Sequence, residues 1–296
     1  MAVSMSWDTL AAIDSALPFD TSSKPIELIS STLKQTASLI QSDGIRGTRS
    51  RYGDRVKQGQ KSVAGDLVLN PTPIELDTLL PYILGANEAT DVFAVADTLP
   101  SFYVMLDRVQ KLHTYAGLVV ARAVFDFTAN QLVRLTLSLV GTTETEANAG
   151  GFPSLTIDTG EAYVMHQGVL SLHSSNREFN SARLTIDNAP LVLYRNNQEA
   201  SAITPGDRVV TLDVELPYDS ANYDIYTSQE AGTWASGSLT LTNGNQSLLF
   251  SMNSLRSEPG TPDIQARGQE LVMPLSFRAY MTGSTREIQV TNDSTT

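Results

Sequence analysis

Alternation with a period of two runs through most of the chain. In QLVRLTLSLVG, Val133, Leu135, Leu137 and Leu139 are apolar while Arg134, Thr136 and Ser138 are polar, the spacing that sends alternate side chains to opposite faces of a half-buried strand. DRVVTLDVELP repeats it with Val210, Leu212, Val214 and Leu216, and ELVMPLSFRAYM with Leu271, Met273, Leu275 and Phe277. Pro274 in the last run predicts an edge strand or a bulge, because proline cannot donate to a ladder. Between GSLTLT and SLLFSM, Asn243-Gly244-Asn245 predicts a tight hairpin at Gly244, since Asn and Gly tolerate positive φ.

Helical signals are fewer. Thr72 and Glu75 form a capping-box pattern with Pro73 in the first turn, ahead of Leu76, Leu79, Leu80 and Ile83, and Gly85 supplies the stop. Pro81 predicts a kink or an early end, for want of a backbone donor. A second amphipathic stretch runs from Ser6 through Trp7, Leu10, Ile13 and Leu17 to Pro18. PIELISSTLKQTASLIQS keeps helical spacing at Ile26, Ile29, Leu33 and Ile40, but its Ser and Thr content favours extended chain. The expected class is all-β, mainly strands with one or two short helices.

Two halves emerge when these elements are laid side by side. GDLVLNPTP at Gly65 answers GDRVVTLDVELP at Gly206, and LVRLTLSLVG ending at Gly141 answers LVMPLSFRAYMTG ending at Gly283. Each half then reads as a strand, a short helix or loop closing at Gly85 or Gly232, a hairpin, and two long alternating strands. A tandem duplication accounts for this: residues 1–142 as the first unit with an N-terminal arm, 143–176 as a polar linking arm, and 177–296 as the second unit.

The composition narrows the function. The chain has 296 residues, 41% hydrophobic and 18% charged, enough for a large core and too apolar for disorder. A net charge of −12 disfavours a protein that grips nucleic-acid phosphates. With no cysteine, disulfides, thiolate metal sites and thiol nucleophiles are excluded. The N-terminus lacks the pattern of a secretion signal, and no apolar run approaches the length of a membrane span, so a soluble chain without membrane partners is expected.

No catalytic signature is present: G-x-S-x-G, S-x-x-K, H-E-x-x-H and the phosphate-binding G-x-x-x-x-G-K-[ST] are all missing. His113, His166 and His173 stand singly in polar contexts, and Glu144 and Glu146 fall in the apparent linker. The expectation is a non-enzyme with no cofactor and no metal. Charge is uneven, however. Residues 43–61 hold six basic residues, including Arg46, Arg49, Arg51, Arg55 and Lys57, against Asp43 and Asp54. A basic loop on an acidic body suits docking onto another copy of the same chain. Its single aromatic, Tyr52, argues against base stacking.

The run LKQTASLIQSDGIRGTRSRYGDRVKQGQKSVAGDLVLNPTPIELDTLLPYILG resembles the N-terminal half of the major tail tube proteins of long-tailed, siphovirus-type bacteriophages. FNSARLTIDNAPLVLYRN and ITPGDRVVTLDVELPYD resemble the opening of that family's second half. The resemblance implies a structural virion protein, assembled in the host bacterial cytoplasm, that stacks as rings into the hollow tail tube through which DNA is ejected. It implies a duplicated tail-tube β-sandwich or barrel fold, with strands completing an inner β-barrel between subunits. Two such units per chain imply homotrimeric, pseudo-hexameric rings; a single unit per chain would require a homohexamer. A tape-measure protein and a tail terminator are the implied partners, and passing DNA is not specifically bound. Arg46, Arg49, Arg51, Arg55 and Lys57 fall in the loop expected to touch the adjacent ring. The rival reading is a non-enzymatic β-sandwich binding module, a phage adhesin or carbohydrate-binding domain, using Tyr218, Tyr223, Tyr226 and Trp234.

Overall fold

The computed structural model describes residues 4–45, 47–233, 235–257 and 270–295. Among them are twenty strands and two α-helices. The first ten strands are β1 (Leu10–Asp14), β2 (Lys24–Pro25), β3 (Ser30–Ser31), β4 (Lys34–Gln41), β5 (Val56–Leu69), β6 (Val92–Ala94), β7 (Phe102–Asp107), β8 (Lys111–Thr128), β9 (Arg134–Gly141) and β10 (Thr143–Asn148), with α1 (Pro73–Leu84) after β5. The others are β11 (Gly168–Leu172), β12 (Ser175–Arg177), β13 (Ser181–Asp187), β14 (Leu191–Leu193), β15 (Ala202–Thr204), β16 (Val209–Pro217), β17 (Ala235–Asn243), β18 (Gln246–Ser257), β19 (Val272–Ala279) and β20 (Gln289–Asp293), with α2 (Tyr223–Glu230) after β16.

Every named pairing is antiparallel. In the first half the order is β4-β5-β9-β8-β7, and in the second it is β13-β16-β19-β18-β17. The halves meet edge to edge where β8 pairs with β13, from Arg122↔Asp187 to Thr128↔Ser181. A single sheet therefore crosses both halves, β4-β5-β9-β8-β13-β16-β19-β18. The N-terminal part of β8 leaves this sheet to pair with β7 and β10 in a second layer.

The period-two runs form the strands as expected. Val133, Leu135, Leu137 and Leu139 are buried, as are Val210, Leu212, Val214 and Leu216, while Met273, Leu275 and Phe277 fill the corresponding face of β19. Around Pro274, β19 has only β16 beside it among the described residues. Gly244 has φ 61° in the two-residue turn between Asn243 and Gln246. The Ser- and Thr-rich stretch is extended, as β3 and β4.

Helix α1 begins with the expected capping box. The Glu75 N–H donates to Thr72 Oγ1 at 3.2 Å, and Glu75 Oε2 accepts the Thr72 N–H at 3.0 Å. Pro81 does not end it early: the helix runs on to Leu84, and Gly85, at φ 99°, donates its N–H to the Pro81 carbonyl at 2.8 Å. An interior proline costs about 3 kcal/mol. Burial of Leu76, Leu79, Leu80, Ile83 and Leu84, at about 1.5–3 kcal/mol per side chain, outweighs that.

Three further expectations are corrected. Residues 6–17 are a 3₁₀ turn at Ser6–Asp8 followed by β1, not a helix. Ala11, Ala12 and Ile13 are all buried there, with β7 paired on one side of them and β2 on the other. The polar stretch after Thr142 is not all connection, because Thr143–Asn148 forms β10 against β8. Gly65 and Gly206 do not correspond. Gly65 lies inside β5, where a Cβ would sit 2.5 Å from the Leu33 Cα, whereas Gly206 precedes β16 and its N–H donates to the Asn188 carbonyl. Gly85 and Gly232, by contrast, each follow their helix in the left-handed region.

Candidate docking interface

Strands β4 and β5 make a hairpin that extends past the body of the sheet. Pairing runs from Lys34↔Ala64 to Gln41↔Val56 with an irregularity between Ala37 and Leu39. Along its outer part the burial alternation fails. Leu39 and Ile40 are 73% and 62% exposed, and at the tip Ile45 is fully exposed. Residues this apolar at a solvent-facing hairpin tip mark an interaction surface.

The same tip carries the basic residues picked out from the sequence. Arg49, Arg51, Arg55 and Lys57 are exposed on one arm, and Arg46 lies outside the described residues. Arg51 reaches Asp43 at 4.0 Å with both side chains in solvent, a contact of little energetic weight.

The base of the arm is held by the other half of the chain. The Lys61 N–H donates to the Gln198 carbonyl at 2.7 Å, Gln198 Nε2 donates to the Gln58 carbonyl at 3.0 Å, and Lys61 lies 3.8 Å from Glu199. Gln198 and Glu199 sit between β14 and β15, in the excursion that joins β13 to β16. The β4–β5 tip occupies the matching place in the first half. The β4–β5 connection is thus a projecting basic arm, and the β13–β16 connection a brace folded against it. Sequence reasoning missed this, because nothing in LVLYRNNQEASAIT signals a distant partner.

The polar face of the long sheet carries charges of both signs in rows. Arg134, Asp126, Arg183 and Asp213 are successive cross-strand partners over β9, β8, β13 and β16. Arg183 Nε donates to Asp126 Oδ1 at 2.5 Å, and Ser276 on β19 donates to Asp213 at 2.5 Å. A second row sets Ser138, bonded to Asp66 at 2.7 Å, beside Arg122, which donates to Asp187. This face is charge-alternating, not uniformly acidic. The alternation was present in the sequence as signed residues at the polar positions of adjacent strands.

Excess negative charge collects instead at the end of the sheet opposite the arm. There Glu178, Asp219, Asp224 and Glu270 are exposed around α2. Arg177, nearly buried, is spent on Asp224 at 2.6 Å and on the Ala221 carbonyl. Burial pushes the Asp224 carboxyl up, but the hydrogen bond and charge of Arg177 outweigh it and leave the group below its ordinary value. Tyr218, Tyr223 and Tyr226 gather on the same rim, with centroids 6.5 Å and 5.8 Å apart along the series. Tyr218 and Tyr226 lean on the core while Tyr223 is 51% exposed. Trp234 lies outside the described residues.

His113, Glu144 and Glu146 present ligand-type atoms within 4.8 Å of one another. Glu144 is already committed, with Oε1 at 2.6 Å from His113 Nδ1 and Oε2 accepting the Gln35 N–H at 2.8 Å. The arrangement ties β10 to β4 and β8. No helix among the described residues is long and apolar enough to cross a membrane.

Comparison with known proteins agrees with this architecture. A family model described as phage tail tube protein matches residues 5–281. No curated protein matches the chain.

Proposed function

The chain belongs to the phage tail tube protein family, structural and non-enzymatic components of the virion tail, and on that premise we propose how it builds the tube. The binding-module alternative gives way to this membership. In our reading the chain is a duplicated tail-tube unit of a siphovirus-type tail, divided as 1–142, 143–176 and 177–296. Three chains close a pseudo-sixfold ring, and the rings stack through the arm bearing Arg46, Arg49, Arg51, Arg55 and Lys57. A tape-measure protein and a terminator would cap and fill the tube.

One observation carries the proposal: the same strand order occurs twice, β4-β5-β9-β8 and β13-β16-β19-β18, joined edge to edge by β8 and β13. A join of that kind between chains would continue the sheet around a ring. The outer edge of β4, which pairs only with β5 among the described residues, is the edge such a join requires. Closure would remove an exposed strand edge that otherwise invites uncontrolled pairing. The charge-alternating face would then line the lumen. DNA would meet no uniform positive field there, and the Arg122 and Arg183 guanidinium groups are paired with Asp187 and Asp126.

Mass photometry with negative-stain electron microscopy of the concentrated protein tests the stoichiometry. Rings of three chains are expected. Rings of six would keep the tube and overturn the duplication.

A further inference from the structure

We propose that the arginine-rich arm of one ring docks on the acidic, tyrosine-bearing rim around α2 in the next ring. This rests on the tube reading above and adds the acceptor surface that the arm requires.

The arm and this rim lie at opposite ends of the same sheet. Strand β5 leaves the arm at Val56 and ends at Leu69, opposite Leu135. Leu135 pairs with Phe125 and Thr128 with Ser181, which faces Glu215 near the end of β16. Pro217 then leads into α2. Stacking copies along the strands brings the arm of one against the far rim of the next.

Chemistry selects the second-half rim over the first. Around α2, Glu178, Asp219, Asp224 and Glu270 are exposed, and the one arginine among them is buried in its own pair with Asp224. On the first-half rim, Asp158 is bonded to Thr72 Oγ1 at 2.5 Å, and Lys24 and Arg134 are exposed beside it and Glu161. With Glu27 also exposed there, the first rim carries carboxylates partly offset by two cations, and the larger excess of negative charge lies at the second. Guanidinium groups favour surfaces that combine carboxylates with aromatic faces, and the exposed ring of Tyr223 beside Tyr226 provides such a face. The apolar Leu39, Ile40 and Ile45 on the arm would bury against the same rings. Docking of this kind steers the approach of rings by long-range attraction and fixes which end of a ring meets which.

Compensating charge reversal tests it. Glu178→Arg with Glu270→Arg should shorten tubes about tenfold or more, as should Arg49→Glu with Arg51→Glu, through like-charge contact. Combining all four should restore length. Raised salt should mimic the loss in the wild type. Circular dichroism and the melting temperature of each variant monitor folding. As a second readout, the chain has no native cysteine, so Arg49→Cys mixed with Glu178→Cys reports the contact through a short bis-maleimide, with Arg49→Cys mixed with Glu88→Cys as the control. Wild-type-length tubes from the rim variant, or no linkage above the control in assembled tubes, would overturn the docking and leave the tube reading intact. A wild-type chain that forms neither rings nor tubes would overturn self-assembly of this chain and the docking together.

Discussion

Asp126 on β8 and Arg183 on β13 are direct cross-strand partners, 2.5 Å apart, although they belong to different halves of the chain. Arg122 and Asp187 repeat the relationship at the other end of the same seam, also at 2.5 Å. Both arginines are more than half exposed, so solvent screens each pair. A double-mutant cycle on Asp126→Ala and Arg183→Ala, read by urea unfolding, should give a coupling of only about 0.5 kcal/mol. The opposite face of the seam carries the stability, with Phe125 opposite Leu184 and Ala123 opposite Ile186, all fully buried. Leu184→Ala should cost about 2–5 kcal/mol. A coupling of several kcal/mol in the ionic pair would reverse that assignment.

The two ends of α1 should respond differently to alanine. Thr72→Ala removes the cap for the Glu75 N–H and the bond to Asp158, a loss of about 1–2 kcal/mol. Gly85→Ala asks an L-residue to hold φ 99° and places a Cβ 2.3 Å from the Thr98 carbonyl oxygen. Backbone cannot yield cheaply there, so Gly85→Ala should be the more destabilising of the two in thermal unfolding. Equal losses would mean that the loop after α1 can move.

Burial raises the Glu75 carboxyl above its ordinary 4.5, although the Glu27 and Thr72 N–H groups oppose the shift. Burial likewise raises Asp77. A carboxyl whose folded pKa lies above its unfolded one binds more protons in the folded state. Its contribution is therefore complete below its ordinary value, 4.5 for Glu75 and 3.8 for Asp77, and is lost as pH rises through the folded value. These two groups make stability fall with rising pH over that window. Glu75→Gln should flatten the slope while lowering stability by about 1–3 kcal/mol, since the amide nitrogen faces one of two backbone donors. Urea midpoints at a series of pH values distinguish this from a uniform loss, which would mean that Glu75 titrates normally.

Much of the fold was legible in the chain because strand alternation, helix caps and the Asn-Gly turn are local. Val210 to Leu216 alternate whatever lies next to them, and Thr72, Glu75 and Gly85 act within one helix. The misreadings came where tertiary partners decide. Trp7, Leu10, Ile13 and Leu17 keep helical spacing, and only the partners β2 and β7 on either side of β1 select the strand. Pro81 is tolerated because α1 buries one face against the sheet. Of the site, the basic residues of the arm could be read directly, since six basic residues against two acidic ones in nineteen positions stand out on an acidic chain. Its brace at Gln198 could not, because it depends on a contact spanning 140 residues.

That brace yields the last prediction. Arg49 and Arg51 are exposed, and the one ion pair between the described arm residues, Arg51 with Asp43, is stretched to 4.0 Å. Reversing their charge should leave the melting temperature of the unassembled chain within about 2 °C of wild type, while long tubes fail to form. Gln198→Ala with Glu199→Ala leaves every arm charge in place and removes only the side-chain contacts to Gln58 and Lys61. If the arm must be held at a set angle to reach the next ring, these variants should form rings but short or irregular tubes, with faster hydrogen exchange confined to residues near 56–61. If charge alone drives stacking, the brace variants should build tubes of normal length. Electron microscopy of the two variants side by side, with exchange measured on the unassembled chains, separates attraction from positioning. The prediction is that both are needed, because a flexible arm loses on docking the conformational freedom that a braced one has already given up.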